Sequence, residues 1–160
     1  MEKAIQSTLR YLLREYVKAP NVSYAINRVA MSHGADPIAV SQFLLEKNWI
    51  RERWIFQDNR VSCRITVAGI EEVDSIFIRN KLRRIIGSLV SAGGTKELKE
   101  IFENRLEEYA VNLDIVFQLE KLAMVNIVRR EGSIFISLTE EGKAFFSRKG
   151  KLLYSMMSIA

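Results

Sequence analysis

The chain is poor in the residues that staple folds or catalyse reactions. Its 160 residues include one cysteine, Cys63, and one histidine, His33. A lone cysteine excludes an internal disulfide framework, and one cysteine with one histidine falls short of the four ligands of a structural zinc site. Catalysis of the Ser-His-Asp or Cys-His kind needs a histidine base, and the single one stands in the turn-like stretch Ser32-His33-Gly34. No pair of carboxylates is set apart by a motif that would drive two pKa values in opposite directions. The expectation is a protein that is not an enzyme and uses neither metal nor cofactor. No run reaches the roughly 18 uncharged apolar residues of a membrane span. Glu2, Lys3, Arg10 and Arg14 fall inside one amphipathic pattern, unlike a signal peptide, so a cytoplasmic location with no membrane partner is expected.

What remains is globular in character. Hydrophobic residues make up 48% of the chain, and 24 Lys+Arg against 19 Asp+Glu give a net charge of +5. A chain of this size buries enough apolar surface to fold as one compact unit or two small ones. The positive balance makes a polyanionic partner a candidate without identifying one.

The sequence repeats itself. Phe43-Leu44-Leu45-Glu46-Lys47 returns as Phe117-Gln118-Leu119-Glu120-Lys121, and Ile65-Thr66-Val67-Ala68-Gly69 is matched in pattern by Leu138-Thr139-Glu140-Glu141-Gly142. Periodicity agrees. In the first half, Ile5, Leu9, Leu12, Leu13, Tyr16 and Val17 predict a helix over about 2 to 18, ended by Ala19-Pro20-Asn21. A second helix is expected from about Ser23 to Ser32. Asp36 as N-cap with Pro37 at the first helical position opens a third, reaching about Asn48. The period then changes to two, with Trp54-Ile55-Phe56 leading into the turn Gln57-Asp58-Asn59-Arg60 and out through Val61, Cys63, Ile65 and Val67.

The second half predicts the same order. A helix carries Ile76, Phe77, Leu82, Ile85, Ile86 and Leu89, and ends before Gly93-Gly94. Thr95 is expected to cap a helix from Lys96 to about Ala110, whose Leu98, Ile101 and Phe102 face a core. Asn112 is expected to cap a third helix through Leu113, Val116, Phe117 and Leu119. A hairpin follows, Ile127-Val128-Arg129-Arg130 turning at Glu131-Gly132-Ser133 into Ile134, Ile136 and Leu138, and Thr139 opens a last helix.

Three helices, a hairpin and a helix, with Leu/Phe-x-Leu-Glu-Lys on the third helix and Leu/Ile-Thr-x-x-Gly closing the hairpin, resemble the winged helix-turn-helix superfamily. The resemblance covers nearly the whole chain twice. It implies a mainly α fold with small β-hairpins, a tandem winged helix-turn-helix with one unit over 1–75 and a second over 76–160. In that superfamily the third helix enters the DNA major groove and the hairpin, or wing, touches the backbone or minor groove. The implied reading helices are about 36 to 48 and 112 to 123, and the implied partner is double-stranded DNA. Paired winged helices also dock protein partners in larger assemblies, which is the alternative function.

Candidate contact residues follow from the chemistry of a DNA reader, which needs cations for phosphates and amides or cations for base edges. The first reading helix offers Ser41, Gln42 and Lys47, with Glu46 opposed, and the second offers Asn112, Gln118 and Lys121 beside Asp114 and Glu120. The five glutamates from Glu97 to Glu108 would repel phosphates if they faced a groove. The hairpins supply Arg51, Arg53, Arg60, Arg64, Arg129 and Arg130, for which water-facing strand positions are the plain alternative. Arg79, Lys81, Arg83 and Arg84 form a basic collar on the helix between the repeats, read either as backbone anchors or as a solvated surface. Arg148, Lys149 and Lys151 are a further basic group. Trp49, Trp54 and Phe56 are expected to pack in a core or interface rather than stack on bases. His33 is read as a surface histidine and Cys63 as a small core residue. Residues 1–78 hold ten Lys+Arg and nine Asp+Glu, and 79–160 hold fourteen and ten. So modest an excess calls for doubled contacts, and a homodimer is expected through the first helix and the apolar Leu152-Leu153-Tyr154-Ser155-Met156-Met157.

Overall fold

The computed structural model describes residues 1–102 and 106–147. Among them are eight helices and two three-stranded antiparallel sheets, and helix predominates. The chain divides into two compact units, Met1–Ser75 and a second beginning at Ile76. No described helix is long and apolar enough to cross a membrane.

In the first unit, α1 (Glu2–Lys18) buries Ala4, Ile5, Thr8, Leu9, Leu12 and Tyr16, one stripe at helical spacing. That stripe is spent on the unit's own core, and Val17 on the same helix is exposed. The expected helix over 23–32 is a two-residue strand, β1 (Tyr24–Ala25), followed by the short α2 (Asn27–Ser32). Tertiary pairing overrides helical periodicity here. Tyr24 lies opposite Cys63 and Ala25 opposite Ser62, and the Tyr24 hydroxyl donates to the Ala19 carbonyl at 2.8 Å.

Helix α3 (Pro37–Glu46) starts as its sequence dictates. Asp36 stays extended, its carboxylate accepts from the Ile38 and Ala39 amides at 3.2 Å each, and Pro37 occupies the first turn. Strands β2 (Ile50–Ile55) and β3 (Val61–Ile65) form the hairpin, and the sheet order is β1-β3-β2. Val67, expected as the hairpin's last residue, instead opens α4 (Val67–Val73), with Thr66 as its N-cap.

The second unit repeats this order and sheet topology. It runs α5 (Ser75–Ser91), β4 (Thr95–Glu97), α6 (Leu98–Ile101), α7 (Leu106–Lys121), β5 (Val125–Arg130), β6 (Ser133–Leu138) and α8 (Glu140–Ser147), with sheet order β4-β6-β5. Two expectations are corrected. Thr95 does not cap a helix from Lys96, because Thr95–Glu97 pairs with Phe135–Ser137 as the third strand. Asn112 does not cap a helix either. It lies inside α7, where apolar residues on both sides continue the helix through it.

The repeated motifs close each unit in the same way. Helix α3 ends with Asn48 in the left-handed region (φ 57°), the Asn48 amide donating to Leu45 and the Trp49 amide to Leu44. Helix α7 ends likewise with Ala123 (φ 58°), the Ala123 amide donating to Glu120 and the Met124 amide to Leu119. The Thr66 hydroxyl donates to the Asn48 carbonyl at 2.6 Å and accepts from the Gly69 amide at 3.1 Å. Thr139 does the same with the Ala123 carbonyl at 2.6 Å and the Gly142 amide at 2.8 Å. Thr-x-x-Gly is thus a clasp between the end of the third helix, the end of the hairpin and the start of the next helix.

Candidate nucleic-acid interface

Helix position and hydrogen bonding decide which proposed readers reach a surface. Ser41 is fully buried and its hydroxyl donates back to the Ile38 carbonyl at 2.9 Å, so it cannot meet a base edge. Gln42 is exposed but engaged, donating to Glu46 at 2.8 Å and accepting from Arg53. Lys47 is exposed, with its ammonium 5.6 Å from the Phe43 ring centroid and no carboxylate paired to it among the described residues. The outward face of α3 therefore shows Gln42, Leu45 and Glu46, with Lys47 exposed just past its end.

On α7, Asn112 is 2% and Gln118 8% exposed, which corrects their assignment as readers. Gln118 donates to Asp114, itself buried, at 2.8 Å, an i, i+4 pair that absorbs both polar groups. Lys121 alone of the three candidates is exposed. Its neighbour Glu120 covers the outer edge of β5 by accepting from the Ile127 amide at 3.3 Å.

The arginines of the two hairpins differ sharply. Arg64 is only 14% exposed, and it donates to Glu52 at 2.7 Å and to the Pro20 carbonyl at 2.8 Å, so it is a strut and not a phosphate ligand. Arg51 and Arg53 are half-buried. Arg60 is well exposed, paired with Asp58 at 2.8 Å, and its guanidinium lies 5.0 Å from the Phe56 ring centroid. Arg60 also donates to Asp58 through its backbone, and together these contacts hold the Asp58 carboxyl below its ordinary range. In the second hairpin Arg129 and Arg130 are exposed and carry no ion pair among the described residues. They lead into the two-residue turn Glu131-Gly132, whose φ values of 48° and 81° fit a type I′ turn between evenly paired strands.

The collar on α5 is largely spoken for. Lys81 bonds the carboxylate of Glu108, and Arg84 lies 3.9 Å from the same group. Arg79 is half-buried, which leaves Arg83 as the exposed member. Arg148, Lys149, Lys151 and the segment Leu152 to Met157, expected to hold phosphate or mediate self-association, lie outside the described residues.

The pairing register also sorts the first hairpin into two faces, because residues directly opposite each other share a side. Ile50 with Ile65, Ile55 with Val61 and Tyr24 with Cys63 share the side of the core, although Ile55, near the hairpin tip, is exposed. Arg51 with Arg64, and Trp54 with Ser62, form the other. Between them the register shifts and Glu52 takes φ 51°, a bulge. Trp49 packs as expected, edge-on to Phe43 at 6.0 Å. Trp54 and Phe56 do not enter the core, at 62% and 45% exposed. Their place directly before the polar turn Gln57-Asp58-Asn59-Arg60, at the hairpin end farthest from the helices in sequence, was the available signal.

Neither remaining candidate adds chemistry. Cys63 is buried with its thiol pushed up to about 12 by desolvation, which removes it as a nucleophile. His33 is exposed at the end of α2. No cluster of three or more metal-ligating side chains occurs among the described residues. Comparison with known proteins gives no match: no family model, curated relative or solved structure is significantly similar to the chain.

Proposed function

We propose that the chain is a tandem winged-helix protein that binds double-stranded DNA, chiefly through phosphates. One observation carries this reading: the tip of the β5–β6 hairpin presents Arg129 and Arg130 to solvent with no ion pair among the described residues. Lys121 and, in the first unit, Lys47 add exposed cations beside the ends of the third helices. Base-specific readout has little support, since Ser41, Asn112 and Gln118 are buried. Contacts of this kind position a duplex without reading it. The protein thus acts as a regulator-like binder of low sequence preference. Its dimerisation remains part of the proposal, because doubling a small set of cations is the simplest way to raise affinity.

The test is the salt dependence of binding to a random duplex. The expected log-log slope is about −0.9 per neutralised phosphate, and charge reversal of Arg129 and Arg130 should make it shallower by about two contacts. The second reading is docking of a protein partner, favoured by the exposed apolar Leu122 and Val128 on the same unit. No duplex binding at low salt would replace the first reading with the second.

A further inference from the structure

We propose that the outward face of the first hairpin is a stacking platform for single-stranded nucleic acid. The duplex reading above leaves this face unused, and the inference does not depend on that reading. Trp54 and Phe56 are two residues apart, so the alternation that places Trp54 opposite Ser62 brings both rings to the side facing away from the core. The Phe56 amide donates to the Arg60 carbonyl at 2.8 Å across the turn, and the exposed Arg60 guanidinium lies 5.0 Å from the Phe56 ring centroid, where an incoming base displaces it or stacks upon it. Half-buried Arg51, opposite the strut Arg64, lies on the same side beyond the bulge. The face therefore runs arginine, tryptophan, phenylalanine, arginine.

Two arguments select the occupant. The first is charge: with Arg64 and Glu52 paired to each other, residues 50–65 still hold Arg51, Arg53 and Arg60 against Asp58, a surplus that suits a phosphate backbone. The Arg60–Asp58 pair is exposed on both sides and yields to a phosphate more easily than a buried pair would. The second is spacing. Two residues of strand span about 6.6 Å, twice the ~3.4 Å rise of stacked duplex bases, so each ring takes a base splayed out of its stack. A duplex cannot offer such bases, whereas a single strand can.

The experiment titrates the full chain with a fluorescein-labelled oligothymidylate of about 12 nucleotides and, separately, a duplex of similar length, at about 50 and 200 mM salt. Trp54→Ala and Phe56→Ala are each expected to weaken single-strand binding about tenfold, while Trp54→Phe retains most of it. Both rings are exposed, so the variants should melt with the parent. Stacking should quench tryptophan emission in Trp49→Phe, where Trp54 is the remaining reporter, and leave it unchanged in Trp54→Phe. Reversal of Arg129 and Arg130 should lower duplex binding and spare the single strand. If oligothymidylate binds in a Trp54-dependent way and the duplex does not bind, this inference stands and the duplex reading falls. Absence of oligothymidylate binding at low salt, alanine variants that bind like the parent, or Trp54-dependent self-association in its place would overturn it.

Discussion

At Gly69 and Gly142 only a hydrogen fits, because a Cβ at either position would collide with the carbonyl oxygen of Trp49 or Met124. Those carbonyls are already committed, accepting from the Thr66 and Thr139 amides at 3.0 and 3.2 Å, so neither can retreat without breaking the clasp. Gly69→Ala and Gly142→Ala should each cost about 2 to 3 kcal/mol, read from urea denaturation midpoints. Ala123 presents the opposite case. It holds φ 58° with a Cβ, where the first unit has Asn48, and Ala123→Gly should stabilise by about 0.5 to 1 kcal/mol. Cys63 controls the alkaline limb. With its thiol raised from 9.0 to about 12, folded and unfolded chains are both protonated below pH 9.0 and the group has no effect there. Above that the unfolded chain alone releases the proton, and stability falls by about 1.4 kcal/mol per pH unit until the folded thiol ionises. Tyr24, raised chiefly by burial, adds to the loss above its ordinary 10.0. Between about pH 8 and pH 10.5 the parent should lose roughly 2 kcal/mol more stability than Cys63→Ala does, whatever the variant's starting value. A native thiol that reacts at once with a disulfide reagent would contradict this burial.

At the scale of elements, Arg64 ties the first hairpin to the segment that follows α1. Arg64 reaches Glu52 in the bulge and the Pro20 carbonyl after α1, and its place opposite Arg51 would otherwise leave two like charges facing each other. Arg64→Ala should cost about 1 to 3 kcal/mol by orphaning these partners, whereas Arg60→Ala, at an exposed pair, should cost less than about 1. Chemical denaturation of the two variants separates a strut from a contact residue. Both arginines were equal candidates in the sequence, where composition shows charge but not what meets it. The same limit explains the buried readers, since Asn112 and Gln118 look solvent-facing by type and become buried only once α7 is wrapped by its unit. Long elements with a periodic stripe, such as α1, and elements with an explicit cap, such as α3 behind Asp36, were legible. Strands β1 and β4 were not, because two or three residues carry no period and their identity comes from pairing with β3 and β6. Trp54 and Phe56 stay out of the core for a related reason: aromatic residues in an alternating run normally turn inward, and the bulge at Glu52 breaks the alternation just before them.

At the scale of the molecule, the duplication extends from topology to the contacts that close each unit. Each unit closes its own three-stranded sheet, follows its third helix with one left-handed residue, Asn48 or Ala123, and locks it with its own Thr-x-x-Gly clasp. Leu9, Leu12, Val40, Leu44 and Ile65 are buried in the first unit, and Leu82, Ile85, Ile115, Leu119 and Ile136 in the second. A lesion in one clasp should therefore loosen one set of slow amides. In native-state hydrogen exchange on the full chain, Gly69→Ala should speed the slowest amides of α1, α3 and β3 by about 30- to 150-fold, the equivalent of 2 to 3 kcal/mol, and leave those of α5, α7 and β6 near the parent rate. Gly142→Ala should do the converse. If either variant accelerates both sets by the same factor, the units open as one cooperative block and the repeat is a repeat of shape alone.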